Sequence, residues 1–363
     1  MRTLPLALSC AAVVLAPLLA ENHKPFTTEL KTISSVASTV PGNGDVNPYG
    51  VAIVPRTNGG LIEGHILISN FNNSGNLQGT GTTIDEISPG GNVKVFAQIP
   101  SNLNGCAGGV GLTTALVVLR AGWVIVGSLP TTDGMSDTAA AGCLIVLNRW
   151  GQPVETFAGS GINGPWDMTA LDLGNAAVLF VTNVLNDTVK NSPNTVNEGT
   201  VLRIVLALGD DDDHDKPRIL AQTQIASGFG EHTDPNALVI GPTGVGLSHD
   251  GTLYVADTAA NRIAAIPDAL FRNSDDGMGN TVSQGGGLNG PLGLAIAPGG
   301  DILTVNGGDG NLVETTPGGK QVGVKNVDTT GTGGGTLFGL AISKSQQGVY
   351  FVNDGNNTLD LLH

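Results

Sequence analysis

The sequence predicts an all-β fold, a six-bladed β-propeller of four-stranded antiparallel blades closed by its N-terminal strand. Three observations lead there. Glycine is abundant (54 of 363 residues) while charged residues make up 13 %, which supplies turn formers in place of helix formers. One phrase recurs six times: a Gly/Pro turn, a short apolar strand, a second turn, and another apolar strand ending on a polar residue. The polar residues Asn70, Ser128, Asn183, Asp257, Asn306 and Asn353 recur at intervals of 47 to 74 positions, against roughly 40–50 residues per propeller blade.

The first copy leads from Asn47-Pro48-Tyr49-Gly50 to Ile66-Leu67-Ile68-Ser69-Asn70, then through Thr83-Ile84-Asp85-Glu86-Ile87 and Val93-Lys94-Val95-Phe96. The second opens at Gly109-Val110-Gly111-Leu112 and the third at Gly164-Pro165-Trp166-Asp167. The fourth opens at Gly241-Pro242-Thr243-Gly244 and the fifth at Gly290-Pro291-Leu292-Gly293. Their apolar runs are continuous rather than alternating, as inner strands covered on both faces require. The sixth copy opens at Leu337-Phe338-Gly339 and stops after a third strand, Asn357 to Leu362. The segment Phe26 to Ile33 has no repeat of its own, so it is expected to supply the missing outer strand and remove an exposed edge.

Ahead of the repeats, Met1-Arg2 and the apolar Leu4 to Ala20 precede polar Glu21-Asn22-His23-Lys24. This reads as a signal peptide over residues 1–20, leaving one exported domain over 21–363, extracellular or periplasmic. No later stretch approaches ~18 apolar residues, so no membrane span is expected. Of three cysteines, Cys10 leaves with the leader, and Cys106 and Cys143 are expected to form a disulfide. A formal charge of −15 excludes nucleic acid, because nothing would neutralise phosphates. The partner is expected to be a small molecule, a glycan or a protein, and the chain a monomer.

Val255-Ala256-Asp257-Thr258-Ala259-Ala260-Asn261-Arg262-Ile263 resembles the phrase of NHL-repeat propellers, with weaker copies at Ile302 to Asn311 and Tyr350 to Asn357. The resemblance implies a six-bladed ring. Its wider superfamily holds gluconolactonase-like metal hydrolases, strictosidine-synthase-like enzymes and an amidating lyase. In the lactonase-like group, metal ligands sit where the inner strands begin. Those positions here read Tyr49, Val110, Trp166, Thr243, Leu292 and Phe338, with Asp167 the one neighbouring carboxylate. The amidating-lyase pattern wants several histidines at the mouth, and the histidines here keep no common register. No metal ligand set transfers and no cofactor is predicted, the one candidate ion being a weakly held Ca2+ at Asp211, Asp213 and Asp215. Lys216 stands there in place of the Gly of a calcium loop.

Two functional readings stay open. In the first, the mouth of the ring is a binding site built from aromatic Tyr49, Trp166 and Phe338 beside polar Asp167, Asn183, Asp257, Asn306 and Asn353. The competing account makes the aromatic residues a plug of the channel and the Asn and Asp residues turn formers that bond their own backbone. In the second, the chain is a hydrolase or lyase with a divalent metal, for which Asp167, Asp257 and His232 are the catalytic candidates. His232 lies in the polar cluster Glu231-His232-Thr233-Asp234, read as a loop turning at Asp234-Pro235.

Overall fold

The computed structural model describes residues 24–209 and 215–363; the expected signal peptide, Cys10 and most of the Asp210–Asp215 run lie outside them. Six antiparallel sheets form the blades of a propeller. The innermost strands are Val46–Ile53, Leu112–Val118, Pro165–Asp172, Pro242–Leu247, Pro291–Ile296 and Leu337–Ile342. Each packs against the next, and the first against the sixth, so the ring is closed. Second strands are buried along their length, Leu253–Asp257 and Val349–Asn353 among them, as the continuous apolar runs require.

The outer strand of the sixth blade is Ile33–Ser38, paired with Thr358–Leu362 from Ile33↔Leu362 to Ser38↔Thr358. Closure by the N-terminal segment is therefore as expected, but the strand lies later than Phe26 to Ile33. Residues Phe26–Glu29 instead wind into one helical turn. The cause is Glu314, whose buried carboxylate accepts the Phe26 amide (2.7 Å), the Thr27 amide (2.8 Å) and the Thr27 hydroxyl (2.6 Å). A strand would not turn consecutive amides onto one carboxylate.

Every inner strand has a register irregularity near its start, for example between Pro48 and Gly50 or between Pro165 and Met168. In blades 1, 4 and 5 a Pro-x-Gly phrase sits at the bulge. Proline has no N–H to give the ladder at that point. Glycine lets the neighbouring strand approach closely: a Cβ on Gly339 would lie 2.2 Å from the Tyr49 carbonyl, and one on Gly293 2.0 Å from that of Phe338. Hydroxyls lace the same level together. Ser69 Oγ donates to the Thr113 carbonyl (2.8 Å), Thr113 Oγ1 to that of Pro165 (2.7 Å), and Thr182 Oγ1 to that of Thr243 (2.7 Å).

Blade 3 departs most from the pattern. Its third and fourth strands, Val196–Ala207 and Arg218–Asp234, are 12 and 17 residues long. The end of the latter turns back as a hairpin with Leu238–Ile240. The Glu231–Asp234 cluster is thus strand rather than the expected loop, although the Asp234-Pro235 turn is present, with Asp234 Oδ1 accepting the Asn236 and Ala237 amides.

Cys106 and Cys143 are bonded, with Cα atoms 5.5 Å apart across a sequence separation of 37. The bridge pins the loop before the inner strand of blade 2 to that blade's third strand. Breaking it should remove about 3–4 kcal/mol through the freed chain entropy. The expected result is no free thiol in protein unfolded without reductant, and a lower melting temperature after reduction. Two titratable thiols under the first condition would refute the bond.

Candidate functional site

One end of the ring, the mouth where the inner strands begin, is filled. Bulges at the strand starts bring Tyr49, Trp166 and Phe338 into a single apolar cluster, and all three are buried. Tyr49 stacks on Phe338 (centroids 3.9 Å apart) and on Phe71 (4.4 Å), while Trp166 meets Tyr49 edge-on at 5.8 Å. The sequence signal for Phe71 was its place directly after Asn70, where blade 1's second strand runs on to Asn72. Leu129 and Val184 follow Ser128 and Asn183 in the same way and join the cluster. Among the described residues the three rings pack on one another and on Phe71, an arrangement of the kind the plug reading describes.

The blade 3 hairpin lies over this plug. Leu238 and Val239 are buried in the same cluster. Gln78 of blade 1 donates to the Pro235 carbonyl at the hairpin tip (3.1 Å), and Ser192 Oγ bonds Thr233 Oγ1 (2.6 Å). Positive φ at Leu185 (73°), Asp187 (62°) and Leu238 (62°) marks strained backbone around it. Beneath, Glu231 is buried, and burial pushes its carboxyl up to about 8, outweighing the backbone amides of Asn186 and Leu185 that face it.

The ring of polar residues is buried and committed to local bonds. Asn70 Nδ2 donates to Asp85 Oδ2 (3.1 Å) and Asn306 Nδ2 to Asp309 Oδ1 (3.0 Å), while Asn353 Nδ2 reaches Asp328 Oδ1 (3.2 Å). Asn183 Oδ1 accepts the Asn163 amide (3.2 Å). Asp257 Oδ2 accepts Arg262 Nε at 2.8 Å, and Arg262 in turn lies 5.8 Å from the Phe229 ring. Most of these bonds run to other side chains of the fold rather than to the residue's own following turn; Asn353 Oδ1 also accepts the Gly355 amide (3.0 Å) and Asp257 Oδ1 that of Ala260 (3.3 Å). The three catalytic candidates are not brought to one point: Asp167 bonds across to Val245, Asp257 to Arg262, and His232 pairs with Ile240 through its backbone.

Register also corrects one position. Pro48, Pro165, Pro242, Pro291 and Leu337 each pair with the polar residue ending the next strand, and in blade 2 the equivalent is Leu112 opposite Ser128. The strand-start residue of blade 2 is therefore Thr113, not Val110; the irregular Gly-Val-Gly phrase there hid the alignment.

Below the plug the channel is open. A cavity of about 400 Å³ runs down the axis to the face where the inner strands end. Its walls are mainly aliphatic, with Val51, Leu116, Met168, Leu294 and Ala341 among them. Asp167 stands at its head. The position after the strand start is Gly50, Thr114, Asp167, Gly244, Gly293 and Gly339 in turn, so this carboxylate replaces a glycine found in four blades. Its Oδ1 accepts the Met168 amide (2.8 Å) and its Oδ2 the Val245 amide of blade 4 (3.1 Å). Burial outweighs these two bonds and raises its carboxyl to about 7. Asp172, at the far end of the same strand, is held by Arg120, whose amide donates to Asp172 Oδ2 at 2.6 Å.

As for metals, the strand-start residues are Tyr49, Thr113, Trp166, Thr243, Leu292 and Phe338, and Thr113 and Thr243 spend their hydroxyls on backbone carbonyls. Among the described residues no three His, Cys, Asp or Glu side chains gather as a metal would need. The residues present do not fit a lactonase-type centre.

Neither a family model nor any curated protein matches the sequence. Solved structures do match in fold. A calcium-binding protein, regucalcin, from Agrobacterium tumefaciens is 13 % identical, with 90 % of this chain and 94 % of that one covered and a TM-score of 0.52. A gluconolactonase from Xanthomonas campestris is 14 % identical over 91 % and 88 % of the two chains, TM-score 0.50. Virginiamycin B lyase from Staphylococcus aureus is also 14 % identical, over 92 % and 85 %, TM-score 0.50. At these identities the likeness is one of fold alone, that of a β-propeller.

Proposed function

We propose that this chain is an exported propeller that acts as a binding module, taking a small molecule into its central channel from the face where the inner strands end. One observation carries this reading: plug and hairpin fill the mouth, while about 400 Å³ stays open beneath them. A volume of that size suits a small molecule and favours it over a glycan or a protein surface. The buried Cys106–Cys143 bridge supports an oxidising compartment and hence export. The NHL-type assignment rests on the Asp257 and Arg262 phrase, whose ion pair has an architectural role within blade 4.

Filling the channel tests the reading. Ala341 lines it and is partly exposed there, so Ala341→Phe should block ligands while sparing the fold. Compounds from a metabolite panel that raise the melting temperature of the parent protein should bind Ala341→Phe at least ~10-fold more weakly, the loss of about 1.4 kcal/mol that a factor of ten represents. Equal shifts in both proteins would place binding elsewhere.

The second reading is a propeller hydrolase or lyase, lactonase-like or amidating-lyase-like, with a divalent metal such as Ca2+. It draws on the activities named for the neighbouring gluconolactonase and lyase. The donor set of the described residues does not fit that metal. Stoichiometric divalent ion in purified protein, measured by elemental analysis, would favour it over the binding module.

A further inference from the structure

We propose that the channel is selective for an organic cation, an ammonium or amidinium group carried on a slim apolar body, with the cationic head seated against Asp167. This deepens the channel-binding reading and rests on it. The geometry is a charge placed without its counterion. Among the six inner strands, Asp167 and Asp172 are the only charged residues, and no Lys, Arg or His lines the cavity. Asp172 already has Arg120. Asp167 has two backbone amides, one to each oxygen, which leaves a lone pair on each oxygen for a further donor.

The surroundings sharpen the preference. The neighbouring inner strands Leu112–Val118 and Pro242–Leu247, and the second strand Ala176–Asn183, contain no titratable side chain. Above lies the plug, where Tyr49 is kept neutral by burial and by the nearby Asp354 charge. A carboxylate ligand would therefore find no positive group beside Asp167, and would meet that carboxylate besides a net charge of −15. A cation entering the same channel gains a charge-assisted hydrogen bond to a buried carboxylate. In four of the other five blades the position is glycine, and a hydroxyl-to-carbonyl bond from Thr182 to Thr243 already joins blade 3 to blade 4 without the Asp167 side chain. Neutral Asp167 favours an empty channel, and the bound cation favours the ionised form. Affinity for the cation should therefore rise with pH through about 7, where the carboxyl of the free protein ionises.

The test is calorimetric titration of the full protein with n-hexylammonium, n-hexanol and n-hexanoate at pH 6 and pH 8. Hexylammonium should bind at least ~10-fold tighter than hexanol at pH 8, the gain of one hydrogen bond to a charged group, and by a smaller factor at pH 6. Asp167→Asn should erase that preference and its pH dependence while hexanol still binds. Should that variant fail to fold, the Asp167 carboxyl can be followed by NMR in the parent, where hexylammonium must lower its titration midpoint. Equal affinities for hexylammonium and hexanol, a preference that survives in Asp167→Asn, or tightest binding of hexanoate would overturn the selectivity and leave the channel reading standing. Failure of all three probes to bind would overturn both.

Discussion

A chain lacking residues 24–38 should lose cooperative unfolding and aggregate. The deletion removes two kinds of support at once. Without Ile33–Ser38, the strand Thr358–Leu362 becomes the edge of blade 6, its ladder groups unpaired along five positions from Leu362 to Thr358. An open apolar edge of that kind is a template for pairing between molecules. Without Phe26 and Thr27, the carboxylate of Glu314 loses three donors inside the protein. Stranding a buried charge in this way costs on the order of 3–5 kcal/mol, a large part of what a folded domain has to spare. Light scattering and thermal melts of the truncated and full chains give the answer. A monomeric truncation with an unchanged melting point would show that the ring closes by other means.

Trp166→Ala should destabilise the protein by roughly 3–5 kcal/mol, the range for removing a large buried aromatic side chain. Trp166 is 2 % exposed and packs edge-on against both Tyr49 and Phe71. Neighbouring rings are fixed by bulged backbone, so the vacated space cannot collapse easily. Trp150→Ala is the control, since its side chain is 58 % exposed and surface changes stay near ±0.5 kcal/mol. Denaturant midpoints compared at constant slope measure both. A loss below ~1 kcal/mol for Trp166→Ala would mean that the plug is loosely packed.

How much of this was legible beforehand follows from what each residue depends on. The blades were legible because each is a local unit, readable from its own turn and its own apolar run. The closing strand was placed a few residues early because its helical turn is imposed by Glu314, 287 positions away from Thr27, and no local pattern announces that. Tyr49, Trp166 and Phe338 were recognisable as equivalent positions. Whether they lined a pocket or filled it depended on Phe71 and on Leu238 and Val239, which no repeat register connects. Asp167 had a clear signal in the third letter of the phrase, where Pro-Tyr-Gly, Pro-Thr-Gly and Pro-Leu-Gly become Pro-Trp-Asp. Its chemistry came into view only with the channel around it.

The pairing of Ile33 with Leu362 also has a meaning in time. A growing chain makes the closing strand before the strands of blades 1 to 5 and its partner after them. Blades 1 to 5 each draw their strands from consecutive sequence and have every partner they need as they emerge. Blade 6 cannot be completed until Thr358–Leu362 has been synthesised. Until then the N-terminal strand must wait unpaired, with Glu314 unable to recruit it to a finished ring. The delay, rather than the length of the loop, is the heavier burden, since each doubling of a closed loop adds only about 0.6 kcal/mol of entropy.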